Sequence, residues 1–171
     1  TMLRPVLPAS LALEFIRDEK LPMVNIDPVQ LQQMLINLCI NARDATEGPG
    51  RIVIRTARRE SHRFQCSSCE QHVEAPMVEL VVSDTGNGIS PEVLPCVFEP
   101  FFTTKSVGEG TGMGLAAVHG IVHQHGGHLQ LESSKSGTIV RLMLPLALDQ
   151  TDPEAKPMTP LATEETPSDT K

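Results

Sequence analysis

The chain contains no tryptophan and no tyrosine, and its only aromatics are five phenylalanines among 171 residues, so any core must be aliphatic. Hydrophobic residues still make up 40% of the sequence. A domain near this length buries roughly two-thirds of its unfolded surface, enough for one domain with tails. A basic surplus is also lacking. The formal net charge of -7 argues against a general nucleic-acid binder, whose footprint is a basic patch or stripe. No apolar run approaches a membrane span, and "TMLRPVLPAS" lacks the apolar centre of a signal peptide. The reading is a cytoplasmic domain without direct membrane contact, any anchor belonging to upstream segments. Cysteine is sparse: Cys39 and Cys96 stand alone, and Cys66 and Cys69 form "CSSC". That excludes a secreted disulfide framework in a chain with this much aliphatic core.

What is present alternates between two periodicities. "LALEFI" (11–16) and "PMVNI" (22–26) read as short strands. "DPVQLQQMLINLCINARDAT" opens with Asp27 as N-cap and Pro28 at the first helical position, and Leu31, Leu35, Leu38 and Ala42 recur at helical spacing until "EGPG". "RIVIRTA" (51–57) and "MVELVVSD" (77–84) read as strands around a polar insertion, 58–76. A short helix is expected near Pro91, and a longer one over 113–127 ends at Gly126 and Gly127. "HLQLESS" and "TIVRLMLPL" then form a closing hairpin. The sum is an α/β (α+β) layer structure with a mixed sheet. Residues 1–9 read as a linker from an upstream module, and the acidic, Pro- and Thr-rich 148–171 as a disordered tail or linker.

Three stretches have chemistry to offer. Asn37 and Asn41 lie four apart on one helix, about 40° apart around its axis. They are either solvated polar residues or neutral, hard ligands for a magnesium ion shared with phosphates. "GEGTGMGL", with Gly108, Gly110, Gly112 and Gly114, leads into a helix whose N-terminus favours anions. Equally, it is a flexible loop before a capped helix. "DTGNGIS" (84–90) is good turn chemistry with one acid ahead of two glycines.

In order along the chain, "NLCINARDA", "DTGNGI", "FEPFFTTK", "GEGTGMGLAAV" and the "GT" before a strand resemble the N, G1, F and G2 boxes of the histidine-kinase, gyrase, Hsp90 and MutL ATPase superfamily. Their spacing is similar to that of a sensor histidine kinase catalytic domain, over residues 10–147. The resemblance implies a Bergerat-type ATP-binding fold, a two-layer sandwich with helices on one face of the sheet. It also implies ATP and Mg2+ as ligands. By the family's pattern Asp84 accepts the adenine amine, which selects adenine because guanine presents a carbonyl there. Gly86 and Gly88 allow close approach, and Thr138 reaches adenine through water. Asn41 holds Mg2+ and Asn37 assists. Residues 97–112 form a lid over ATP, with Lys105 on phosphate and Gly110, Gly112 and Gly114 cradling phosphates. Ile89, Phe98, Thr103, Thr104, Thr111, Met113 and Leu115 complete the implied ATP contacts.

Position 37 separates the branches. The hydrolysing members carry a glutamate there as general base, a task Asn37 cannot perform. The resemblance therefore implies a kinase that keeps its γ-phosphate for a histidine on a separate dimerisation domain, with a response-regulator receiver as the next partner. None of His62, His72, His119, His123, His125 and His128 sits in the family's phosphoacceptor context. The insertion departs from a minimal domain: His62, Cys66, Cys69 and His72 supply four donors, the number a structural Zn2+ takes. An exposed hairpin loop with reduced thiols accounts for them as well.

Overall fold

The computed structural model describes residues 3–105 and 110–147; the expected tail, 148–171, and positions 106–109 of the expected lid lie outside the described residues. Five strands and two helices follow in the order β1 (Leu11–Arg17), α1 (Pro28–Ala45), β2 (Gly50–Gln65), β3 (His72–Asp84), α2 (Gly114–Gln124), β4 (His128–Ser134) and β5 (Gly137–Pro145). The sheet order is β1-β2-β3-β5-β4. Only β1 and β2 pair in parallel, with α1 as the crossover, and the other neighbours are antiparallel. The sheet is mixed, as its sequence implied.

Helix α1 begins where its composition says it should. Asp27 is extended, and its Oδ1 accepts from the backbone N–H of Val29 at 2.6 Å and of Gln30 at 3.4 Å. Pro28 needs no partner at that position, and such a cap is worth about 1 kcal/mol. Met34, Leu38, Cys39 and Ala42 are buried beneath it. They meet Val118 and Val122 of α2 and the sheet residues Ile52, Ile54, Leu80, Val82, Leu129 and Leu142 in one cluster. Both helices therefore cover the same face. Burial pushes the Cys39 thiol up to about 11, which makes it an inert core residue.

Four expectations change. "PMVNI" makes a single bridge, Val24 to Leu146, in place of a strand. The insertion over 58–76 is no loop: β2 and β3 continue through it as a long hairpin, with a register shift between Arg59 and His62. Such a bulge bends and twists a ribbon. Residues 3–9 belong to the domain, because Leu3 and Leu7 are buried in the main core and Arg43 donates to the Val6 carbonyl at 3.2 Å. The helix expected near Pro91 is a single 3-10 turn, Leu94–Cys96.

The helix-free face holds one buried acid. Glu79 is 2% exposed, and its carboxylate accepts from Arg59 at 2.7 and 3.0 Å and from Arg55 at 3.5 Å, with Arg141 at 3.8 Å. Removing one member of a buried pair strands the others. Glu79→Gln should therefore destabilise the fold by about 1–3 kcal/mol, measured by urea unfolding, and an unchanged midpoint would refute this role.

Candidate functional site

The site is built where β3 ends. Asp84 lies opposite Ile52 in the register and so belongs to the helix-facing set. Its Oδ1 accepts from the backbone N–H of Gly86 at 2.8 Å and of Thr138 at 3.2 Å. Oδ2 has no hydrogen-bond partner among the described residues and is not sealed away, since the buried atom left orphaned there is Thr56 Oγ1. Burial pushes the Asp84 carboxyl above its ordinary range, while the two N–H donors pull it down less strongly.

The chain after Asp84 is held too closely for side chains. Gly88 has φ +72°, and a Cβ there would fall 1.9 Å from the Ser134 carbonyl oxygen. At Gly137 a Cβ would fall 2.0 Å from the carbonyl oxygen of Asp84. Ile89 donates its N–H to Ser133 Oγ at 2.8 Å, and that hydroxyl meets Thr138 Oγ1 at 3.1 Å. Thr138 is 7% exposed. Ser133 was not legible in advance, because a serine before a hairpin turn carries no distinguishing pattern.

The asparagines stand close by. The Asn87 N–H donates to the Ala45 carbonyl at 2.8 Å, which ties the Asp84 turn to the helix end one turn beyond Asn41. Asn37 Nδ2 donates to the Gly114 carbonyl at 3.4 Å and its Oδ1 accepts from Gln33 at 3.2 Å. The Asn41 amide makes no hydrogen bond to the described residues, and a Cβ on Gly114 would sit 3.5 Å from both its oxygen and its nitrogen. Gly114 opens α2, and no side chain caps that end. Its first N–H groups are open donors.

The described ends of the expected lid fold back on α1. Lys105 Nζ is bound to Asp44, which also accepts from Arg43 at 2.7 Å. Burial raises the Asp44 carboxyl, but the hydrogen bonds from Lys105 and Arg43 outweigh it and hold the group below its ordinary value. Lys105 N–H donates to Thr103 Oγ1 at 3.2 Å, and Gly110 returns beside both. Phe101 donates to the Gly112 carbonyl at 3.0 Å, and Met113 to Thr111 Oγ1 at 3.4 Å. Phe98 and Leu115 pack on the core, whereas Thr104 is exposed. Taken together, one end of the cleft offers an open carboxylate oxygen. The other offers two amides, free N–H donors and a cation. A depression of about 270 Å³ adjoins this end of the sheet, where Asp84, Thr85, Ser134 and Gly137 line it together with Val53, Ser83 and Ile139 of the helix-free face.

The expected zinc ligands are partly corrected. Cys66 and Cys69 do come together, but their companions are His123 and His128, the four donor atoms lying within 4.8 Å of one another. His72 is exposed, paired with Gln65 in the strand ladder, and outside this group. The His62 side chain lies outside the described residues. Burial pushes the Cys66 thiol up, yet donors from Leu129, Ser68 and Cys69 outweigh it and bring it to about 5. Burial and the neighbouring Cys66 raise Cys69.

Comparison with known proteins places these features. The family described as histidine kinase-, DNA gyrase B- and HSP90-like ATPase matches residues 26–148. The sensor kinase CckA of Brucella abortus is 41% identical over 128 residues, covering 74% of this chain and 14% of the relative. The sensor histidine kinase ZraS of Escherichia coli K12 is 38% identical over 143 residues, covering 83% and 27%. This chain thus spans well under a third of either relative. The solved catalytic domain of histidine kinase ThkA superposes with a TM-score of 0.62 at 27% identity, covering 85% of this chain and 84% of that one.

Two outcomes follow from the geometry at the end of β3. Gly88→Ala should cost more than about 1 kcal/mol, because the substitution meets both positive φ and a carbonyl; urea unfolding measures it. A carboxyl raised on folding holds its proton more tightly in the native state, so it subtracts stability as pH rises from 3.8 through the raised value. Asp84→Asn should keep the Gly86 and Thr138 bonds and lack that loss. The melting temperature of Asp84→Asn relative to wild type should therefore climb with pH across the acid range. A difference independent of pH would contradict the raised carboxyl.

Proposed function

This chain belongs to the histidine kinase-, DNA gyrase B- and HSP90-like ATPase family, and from that membership we propose that it is the ATP-binding catalytic domain of a two-component sensor histidine kinase. It passes the γ-phosphoryl group of ATP to a histidine on a separate dimerisation domain, from which a response-regulator receiver takes it. The observation that carries the reading is the pairing of Asp84 Oδ2 with the Asn41 amide, both without a hydrogen-bond partner among the described residues and joined through Ala45.

In this reading Asp84 Oδ2 accepts the adenine exocyclic N–H, while Oδ1 stays engaged by Gly86 and Thr138. Adenine fits and guanine does not, because a carbonyl facing Oδ2 would leave two acceptors opposed. Thr138 and Ser133 offer hydroxyls beside the same turn. The triphosphate lies toward the start of α2, where open N–H donors and the helix dipole stabilise anions. Asn41, and Asn37 beside it, would hold the Mg2+, which would supply positive charge against that of the phosphates. Lys105 would exchange Asp44 for a phosphate. Asn37 has no basic atom with which to activate water, so the γ-phosphate survives until the acceptor histidine arrives.

The test uses this chain and its full-length parent. Calorimetry should show Mg-dependent ATP binding by the chain without rapid turnover. Asp84→Asn should weaken binding by roughly tenfold or more, and Asn41→Ala should erase the Mg2+ dependence. With γ-labelled ATP, the parent should acquire an acid-labile, base-stable label; an acid-stable label would assign a serine kinase instead. Turnover by the chain alone at ordinary enzymatic rates would overturn the non-hydrolysing reading. Lys105→Ala should lower affinity while costing the nucleotide-free fold under about 1 kcal/mol, the value of a largely exposed ion pair.

A further inference from the structure

The β2–β3 hairpin runs past the end of its pairing with β5, and its tip is polar apart from Cys66, which is buried in the main core. Ser67, Cys69, Glu70, Gln71 and His72 are exposed. Apolar support is a small cluster of Phe64, Met77 and Met143, with Val73 and Ala75 against it. Yet the tip is held in one place. Ser67 donates its N–H to the Leu129 carbonyl at 2.8 Å, and Leu131 donates back to Ser67 Oγ at 3.0 Å. The Cys66–Cys69 turn is closed by Glu70 N–H to the Cys66 carbonyl at 3.0 Å, with Glu70 at φ 60°. This docks the turn on β4, beside the C-terminal end of α2.

We infer that Cys66, Cys69, His123 and His128 form a structural zinc site that staples the hairpin tip to α2 and β4. The donor set is two thiolates and two imidazoles, the composition that selects tetrahedral Zn2+ among common metals. Spacing agrees: Cys-x2-Cys precedes His-x4-His, within the limits of structural zinc sites. Bond lengths of about 2.3 Å to sulfur and 2.0–2.1 Å to nitrogen imply tetrahedral edges of about 3.3–3.8 Å. Cys66 Sγ lies 3.8 Å from His123 Nε2, and Cys69 Sγ lies 3.6 Å from His128 Nδ1. With all four donors within 4.8 Å, the widest pair closes by about 1 Å to reach the tetrahedron. Any thiol protons leave to solvent on binding, and two thiolates balance the charge of the ion. Ser68 Oγ, 2.9 Å from His123 Nε2 and 3.3 Å from Cys66 Sγ, is placed to donate to the Cys66 thiolate once the imidazole turns to metal.

The site fills a gap left by composition. A hairpin tip with five exposed polar positions has little apolar area to hold it, and a metal replaces that core. It also reaches toward the nucleotide cleft: the rings of His128, His123, His119 and Phe98 follow one another at centroid separations of 5.4, 4.6 and 6.0 Å.

The experiment is metal analysis of the whole chain, purified without tag or chelator under reducing conditions with zinc in the medium. One zinc per chain is expected, surviving dialysis. Cys69→Ser and His128→Gln should each lower zinc content at fixed free zinc by roughly tenfold or more, with circular dichroism reporting that both stay folded. His62→Ala and His72→Ala should retain it. A chelator should lower the melting temperature of wild type and leave Cys69→Ser unchanged, and cobalt should give a tetrahedral thiolate spectrum. Absence of bound zinc after reduction and refolding with the metal would overturn the site. So would loss of zinc in the His62 or His72 variants with retention in His128→Gln, or a Cys66–Cys69 disulfide in the reduced preparation.

Discussion

Three backbone segments converge at the end of β3, and there is no room among them for side chains. Gly88 lies against the Ser134 carbonyl and Gly137 against that of Asp84, while Asn87 N–H reaches back to the end of α1. This convergence fixes the last residue of β3 against α1 on one side and the β4–β5 hairpin on the other. Asp84 consequently has its first oxygen engaged by local N–H groups, and its second has no hydrogen-bond partner among the described residues. Burial without a paired cation raises its carboxyl, which suits a neutral hydrogen-bond partner better than a metal.

The other half of the cleft follows from the same packing. Ala45 anchors the Asp84 turn, and one turn earlier on α1 stands Asn41, facing the first residue of α2. Contact between the helices brings together amides and an uncapped helix start that neither helix carries alone. Asp44, three residues beyond Asn41, holds Lys105. A phosphate near the start of α2 would compete with that carboxylate for the same ammonium.

Much of this was legible before the fold was known. Asp27 and Pro28 mark the start of α1 to the residue, because the cap is local chemistry. Strand expectations failed where burial, not local preference, decides. "PMVNI" is apolar enough to read as a strand but makes a single bridge, Val24 to Leu146. The segment from 58 to 76 is mostly polar, and its few apolar residues, Phe64, Val73 and Ala75, serve only a small satellite cluster, so period-2 alternation is weak there. Leu3 and Leu7, four apart in a proline-containing stretch, are too short a signal to announce that they enter the core.

The cysteine pair illustrates the division most sharply. Cys66 and Cys69 are three residues apart, so local spacing alone marks them as donors. Their partners could not be named by proximity in the chain, because a bulged hairpin folds over to a helix end more than fifty residues later and passes over His72. By itself the sequence determined what local rules govern: helix caps, glycine turns, the order of the boxes and the family they mark. Only the tertiary structure decided which distant groups share a site, since that depends on how strands twist and helices pack, and spacing along the chain carries no record of it.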